Sequence, residues 1–235
     1  MQTPLNISRS GPYFAVFFLV ALIAFWPSYL SPATAPISIY THVHAMTSSL
    51  WMLLLIAQPL AIRTRRLGLH RRLGKASYGL APLVVVTIVL LAHSRISGVS
   101  GEAYAIQTYI LYLQTSLAIL FGVSYALGIF TRHTAALHAR FMVCTGLTLI
   151  DPVVIRMMFW IDPTPTWNYQ WFTFGLTDLV LVVLIVLDRH SRVGRAVFPA
   201  MLAAFVTLQV PALFELTAGE PWQQFARWFA ALPLT

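Results

Sequence analysis

Long runs of apolar residues, each close to the length of a membrane-spanning helix, follow one another along most of the chain. A spanning helix needs about 20 mostly apolar residues, and the breaks between these runs carry prolines, glycines and basic residues, as turns do. The pattern predicts an all-α membrane bundle of seven spans, with residues 1–235 as one integral membrane domain. The predicted spans are 13–30, 39–62, 76–92, 103–130, 137–161, 167–187 and 196–216. Since the third is short and the fourth long, we expect them to differ in tilt.

The composition excludes most classes of soluble protein. Hydrophobic residues make up 58% of the 235 residues and charged residues 9%, whereas a soluble domain carries roughly 25% charged residues. A water-soluble enzyme, a disordered chain and a secreted disulfide scaffold are therefore excluded. The single cysteine, Cys144, leaves no internal disulfide and no cysteine-only metal cluster.

The basic residues predict the orientation of the bundle. The net charge is +8, but the basic residues lie between the apolar runs, so we expect a topology signal and no nucleic-acid partner. Twelve Lys and Arg residues fall on the side of the N-terminus and three on the other side. The positive-inside rule then places the N-terminus in the cytoplasm and the C-terminus outside. The membrane we expect is the inner membrane of a bacterium.

Two segments outside the predicted bundle interior leave alternatives open. The first span resembles a signal peptide in one respect, because Ala33-Thr34-Ala35 has the A-x-A form of a cleavage site, although Pro36 follows it. In the tail, 221–232, Trp222, Phe225 and Phe229 recur at helical spacing. This spacing predicts a short helix on the outer surface, and the alternative is a frayed tail.

The histidines fall into two sets by depth. His70 and His93 are 23 residues apart, which is about 34 Å along a helix, so they lie at opposite faces of the membrane. One set, on the outer side, contains His42, His44 and His93. The other set, on the inner side, contains His70, His133 and His138.

Two imidazoles from two helices can hold a haem iron, because neutral nitrogen donors suit iron, zinc and copper. Arg71, Arg72 and Arg140 lie near the inner set, and Arg95 and Arg156 near the outer set. We regard Arg72, Arg140 and Arg156 as candidates for contact with haem propionates or anionic lipid headgroups.

A site for a bare metal ion is the alternative. His42, His44, His93 and Asp151 would form an outer zinc site, or a site for another divalent metal, with an open coordination position. Such a site would suit hydrolysis by activated water. His42 and His44 are two residues apart, which turns them roughly 200° from each other on a helix, so both can bind one ion only if the helix begins after His42.

Two acidic residues, Asp151 and Asp178, fall well inside predicted spans, where ionisable groups are costly and usually functional. Asp151 is predicted either to pair with Arg156 or a neighbouring helix, or to belong to a site. Asp178 lies in the middle of the sixth span and should have a partner or a raised pKa.

The chain also resembles a bacterial family of predicted membrane proteins without an assigned function (DUF2306-like). The resemblance covers about residues 40–160. It is carried by His44, Gln58, the run Leu69-His70-Arg71-Arg72-Leu73-Gly74, Tyr78, the run His138-Ala139-Arg140-Phe141-Met142, and Arg156. Arg140 precedes Met142 here, whereas the family has the reverse order.

The order His44, Gln58, His70, Gly74 also resembles the di-haem cytochrome b561 type. That resemblance implies two haems held by four histidines on four consecutive helices. It pairs His70 with His138 on the inner side. On the outer side His93 would have to take the place of a histidine on the fourth span, which has none, as the partner of His44.

We therefore expect a b-type haem protein that moves electrons in the membrane, in exchange with a quinone or another redox partner. Its other contacts would be membrane lipid. The alternatives are an outer-facing metal-dependent hydrolase or hydratase, and a non-enzymatic subunit or assembly factor of a membrane complex.

Overall fold

The structure is a computed structural model that describes residues 7–31, 36–164 and 167–235, and these residues contain α-helices and no β-strand. Ala33-Thr34-Ala35 lies outside the described residues. The α-helices are α1 Gly11–Phe25, α2 Ile39–Arg63, α3 Leu67–Ile96, α4 Gly101–Phe130, α5 Ala135–Leu147, α6 Ile150–Ile161, α7 Gln170–Asp188, α8 Val197–Leu213 and α9 Glu220–Ala230.

The helices are those of an integral membrane protein. Six segments of the described chain are long and apolar enough to cross a membrane, and α8 is a shorter apolar helix. α1 continues through a π-helical turn to Leu30, and α5 and α6 together form one of the six segments. Large apolar side chains such as Leu179, Val183 and Val186 stay exposed on α7, where they contact lipid.

The third helix is longer than its apolar core predicts. α3 begins at Leu67, three residues after α2 has reached Thr64, and it takes in Arg71, Arg72 and Lys75. Arginine and lysine are good helix formers, so a basic run at the end of an apolar segment extends the helix instead of forming a loop. α3 and α4 each have 30 residues, and the predicted difference in their lengths is wrong.

The fifth predicted span is interrupted. α5 ends at Leu147 and α6 begins at Ile150. Pro152 has no backbone N–H, so the carbonyl of Thr148 loses its helical partner. This gap places Asp151 in the first turn of α6.

The bundle has two ends, one that contains His70 and one that contains His93. At the His70 end α2 and α4 finish and α3 and α5 begin, and at the His93 end α3 finishes and α7 begins.

The predicted tail helix is present at the His93 end as α9. Its Ala226 and Phe229 are buried against Ala92 and Leu111. The alternative of a frayed tail is therefore wrong.

We predict that substituting Gly146 with alanine will destabilise the bundle. A Cβ atom at Gly146 would overlap the ring of Phe14 and come within 3.1 Å of Leu55 Cδ1, so overpacking should cost about 1–3 kcal/mol. Gly175→Ala is the matched control, because nothing lies within 4 Å of a Cβ at Gly175. There alanine should gain about 0.5–1 kcal/mol of helix stability. Thermal unfolding in detergent measures both, and equal midpoints for the two variants would contradict this packing.

Candidate functional site

A large cavity opens at the His70 end, with a volume of about 1150 Å³. Ligand pockets usually measure about 300–1000 Å³, so this one has room for a prosthetic group or a lipid-sized molecule. Its lining comes from α1 to α5, the segment before α1, the α4–α5 loop and the loop before α8. The apolar lining residues include Phe14, Leu54, Leu55, Ile62, Ile129, Ala139, Met142 and Val143.

His138 lines this cavity from the first turns of α5. Its Nδ1 lies 2.8 Å from the carbonyl oxygen of Gly128. Since a carbonyl only accepts, Nδ1 carries the proton and donates it, which leaves a lone pair on Nε2. Gly128 allows this approach of α4 to α5, because a Cβ there would overlap Met142 and lie 3.3 Å from Phe141.

His70 lines the same cavity from α3, and Gln58 of α2 holds it in place. The Gln58 amide nitrogen donates to His70 Nδ1 at 2.5 Å, and its oxygen accepts from the backbone N–H of Gly74 at 3.0 Å. In this arrangement the His70 proton is on Nε2. With the amide turned over, Gln58 would instead accept from Nδ1–H, and Nε2 would carry the lone pair. The sequence pattern Gln58, His70, Gly74 is therefore a clamp between α2 and α3.

The charge around the cavity is one-sided. None of the seven acidic residues of the chain, all of which lie in the described part, lines it. The cations that line it, apart from Arg140, are Arg9, Arg71, Lys75, Arg132 and Arg192. The cavity therefore combines apolar walls with a surplus of positive charge, which suits an amphiphilic anion.

Arg140 is bound to a carboxylate of the protein itself. Its Nε donates to Asp188 Oδ2 at 2.7 Å, and its Nη2 donates to Asp188 Oδ1 at 2.5 Å and to Ser191 at 3.0 Å. Nη1 donates to the carbonyl of Ala136 at 2.7 Å. Arg140 is 4% exposed and Asp188 1%. Arg140, which is predicted to contact propionates or headgroups, therefore has its charge neutralised by Asp188.

Unlike Arg140, the other two predicted arginines do not line the cavity. Arg72 is exposed on α3, next to Arg71, which does line it. Arg156 lies in α6 in the half of the bundle nearer the His93 end, with its guanidinium carbon 5.6 Å from the centre of the Phe25 ring. Positions on α3 one residue apart point about 100° away from each other, which explains why Arg71 and not Arg72 reaches the cavity.

His44 and His93 have separate surroundings. His44 Nδ1 lies 3.3 Å from the hydroxyl of Thr87. His93 Nδ1 lies 2.7 Å from the hydroxyl of Thr235, and its Nε2 is buried without a partner among the described residues. Thr87 and His93 are six residues apart on α3, about 9 Å along the helix and 240° around it. The structure does not bring His44 and His93 together around a common partner.

The predicted zinc residues also remain apart. α2 begins at Ile39, before His42, so His42 and His44 point in nearly opposite directions, and the condition for both to bind one ion fails. His42 Nδ1 lies 3.0 Å from the hydroxyl of Tyr29, while Asp151 is hydrogen-bonded to α7. Among the described residues, no three His, Cys, Asp or Glu side chains form a group that could hold a metal ion.

Asp178 has a partner, as predicted: Gln209 of α8 donates to its Oδ1 at 3.0 Å. Sequence reasoning missed Asp188 as the partner of Arg140, and also Lys75, Arg132 and Arg192 as cavity residues. Asp188 ends α7 at the same depth as the start of α5, so a comparison of depths between helices would have found that pair.

No protein-family model, curated protein or solved structure matches this chain.

We predict that Arg140→Ala will strongly destabilise the protein. The substitution leaves the Asp188 carboxylate buried without a cation, which typically costs about 3–5 kcal/mol. Replacing both Arg140 and Asp188 with leucine should recover much of this loss, since two apolar side chains leave no buried charge. The measurement is unfolding in detergent, and a double variant no more stable than Arg140→Ala would contradict the argument.

Arg227→Ala is the matched control for the buried pair. Arg227 and Glu220 form an ion pair at 2.5 Å on α9 with both side chains more than half exposed. Exposed pairs contribute little to stability, so this variant should unfold near the wild-type midpoint.

Proposed function

We propose that the chain is a b-type haem protein with one haem in the cavity at the His70 end, bound by His70 and His138, and that it moves electrons within the membrane. The observation that carries the proposal is the placement of the two imidazoles. Both line one cavity, and each has its Nδ1 engaged by a hydrogen bond, from Gln58 or to Gly128. Nε2 of His138 is then the nitrogen left for a ligand, and Nε2 of His70 becomes available once its proton has moved to Nδ1.

A hydrogen bond at one ring nitrogen is the usual support for a metal-binding histidine, since it fixes the orientation of the ring and its tautomer. His138 already has the required tautomer, with the proton on Nδ1. His70 acquires it when the Gln58 amide turns over and accepts from Nδ1–H. The turned-over amide gives up its hydrogen bond from the Gly74 N–H and faces the His70 carbonyl with its oxygen, so ligand binding at His70 has to offset that loss.

The cavity also suits the rest of a haem molecule. Apolar side chains such as Phe14, Leu55 and Met142 would exclude water from the macrocycle. Arg71, Lys75 and Arg132 would hold the two propionates, since none of them has a carboxylate partner among the described residues. The bound haem would supply one-electron chemistry. Arg72, Arg140 and Arg156 have no role in this proposal.

The topology belongs to the proposal as well. With seven spans and the N-terminus in the cytoplasm, the His70 end lies at the cytoplasmic face of a bacterial inner membrane, which the count of basic residues supports. Electrons would then be exchanged near that face, with a membrane quinone or with another redox partner. A second haem between His44 and His93 and an outer zinc hydrolase are not proposed, because no observation favours either.

We predict that protein purified from haem-replete cells has a Soret band and, after dithionite, a sharp α-band, with about one iron per chain. His70→Ala and His138→Ala should each lose the six-coordinate spectrum, because each removes one nitrogen ligand. His133→Ala is the matched control: His133 lines the same cavity but is exposed, and its loss should leave the spectrum unchanged.

A wild-type protein that is folded, colourless and free of iron would overturn the proposal. If such a protein co-purified with a partner, and alanine at His70 altered stability alone, the chain would be a non-enzymatic membrane subunit. An unchanged spectrum in both His70→Ala and His138→Ala would show that the haem binds at another site.

We predict that Gln58 is a positioning residue for His70. Gln58→Leu removes the hydrogen bond at Nδ1, and loss of such an outer-shell partner typically lowers metal affinity about 10–100-fold. Gln58→Glu should retain the haem, because its carboxylate accepts from Nδ1–H. It should also lower the reduction potential, since a more basic imidazole and a nearby negative charge both favour the ferric state. A redox titration checks this, and a potential equal to that of the wild type would contradict the role.

A further inference from the structure

Asp151 is a buried acidic residue in the half of the bundle nearer the His93 end. It lies in the first turn of α6, where the helix starts again after the gap at Thr148, and it is 5% exposed. Gln170 and Thr173 of α7 cover it, and they are 3% and 0% exposed. An ionisable residue within a membrane is costly and usually has a function, and the haem proposal does not use Asp151.

No cation of the described residues forms an ion pair with Asp151. The ion pairs within the described part of the chain are Arg140–Asp188 and Arg227–Glu220. The predicted pair of Asp151 with Arg156 does not form, because Arg156 follows five residues later and points about 140° away around the helix. Its guanidinium lies over the ring of Phe25 instead. The contrast with Asp188 is informative, since that carboxylate is equally buried and receives a bidentate arginine.

The hydrogen bonds of Asp151 are compatible with a carboxylic acid. Thr173 Oγ1 donates to Asp151 Oδ1 at 2.5 Å, and the Gln170 amide nitrogen donates to the same oxygen. Both donors therefore meet on Oδ1, and among the described residues none donates to Oδ2. A neutral acid has this asymmetry, with a carbonyl oxygen that accepts two bonds and a hydroxyl oxygen that carries the proton.

Apart from the two donors to Oδ1 and the N-terminal turn of α6, the described surroundings contain no group that would stabilise a negative charge. α7 contributes the neutral side chains Gln170 and Thr173. α4 contributes Tyr109, a neutral side chain whose buried hydroxyl has no hydrogen-bond partner among the described residues. α1 packs against α6 through apolar residues, among them Ala21 and Ala24. Each neighbouring element therefore offers neutral groups, and Arg156 on α6 itself points away.

We propose that Asp151 is a proton-binding site, occupied by a proton on Oδ2 while Gln170 and Thr173 hold Oδ1. The ligand is the proton itself, carried as a neutral carboxylic acid in the membrane interior. Buried acids of this kind form the proton relays of membrane pumps and transporters. The proposal does not depend on a haem, because no residue of the cavity at the His70 end takes part.

Infrared spectroscopy in D₂O tests the proposal directly, since the carbonyl stretch of a carboxylic acid is separate from the bands of a carboxylate. We expect purified wild-type protein at neutral pH to show an acid band that is missing in Asp151→Asn. Asp178→Asn is the matched control, because Asp178 also lacks a cation and accepts from an amide, Gln209. That variant should keep the Asp151 band.

A third variant tests whether the frequency of the acid band depends on the observed hydrogen bonds. Thr173→Val keeps the shape of the side chain but removes one donor to Oδ1, so the Asp151 band should move to higher frequency. Asp151→Asn should unfold near the wild-type midpoint, since the Asn carbonyl can accept the same two bonds and no charge is changed. Absence of the acid band in the wild type, or an acid band that persists unchanged in Asp151→Asn, would overturn the proposal. A large loss of stability in Asp151→Asn would also overturn it and would indicate a charged structural carboxylate.

Discussion

The free energy needed to move a charge from water into a hydrocarbon layer governs where the polar groups of this protein lie. The protein satisfies that constraint in three ways. Most cations lie at the helix ends, many of them around the cavity at the His70 end. Arg140 and Asp188 enter the bundle as a bidentate pair. Asp151 and Asp178 enter it with amide or hydroxyl donors and no cation. Asp188 binds Arg140, which lines the cavity, and leaves the other lining cations without a carboxylate partner. The cavity therefore keeps its surplus of positive charge.

Hydrogen bonds and close contacts between neighbouring helices set the geometry of the cavity. Gln58 of α2 binds both the imidazole of His70 and the N–H of Gly74, so a single side chain fixes the rotation of α3 relative to α2. Gly128 lets α5 approach α4 until His138 reaches a backbone carbonyl. Both histidines are thus oriented by groups that are themselves part of helix packing. A site built on rigid elements in this way holds its ligands more accurately than a site on loops.

The depth of each residue in the membrane could be predicted from the sequence, but the direction of its side chain around the helix axis could not. The rise per residue of a helix is constant, so counting from the span ends assigned the two histidine sets and brought His70 and His138 to one end. Rotation about the helix axis depends on how neighbouring helices pack. That is why Arg72 was a candidate where Arg71 lines the cavity, and why the partner of Asp151 could not be chosen between Arg156 and a neighbouring helix. The early start of α3 was missed for another reason, because a basic run was read as a loop although its residues favour helix.

The two proposed sites lie far enough apart to be nearly independent. His138 and Asp151 are 13 residues apart on the α5–α6 segment, which is about 20 Å at the helical rise. At an effective dielectric constant of about 20, a unit charge gained at one site changes the energy of a charge at the other by about 0.8 kcal/mol. Adding one electron at the His70 end would therefore alter the proton affinity of Asp151 by about fourfold. Tighter coupling between electron and proton transfer would require a change in the packing of α5 against α6, and the break at Thr148 is where that change would occur.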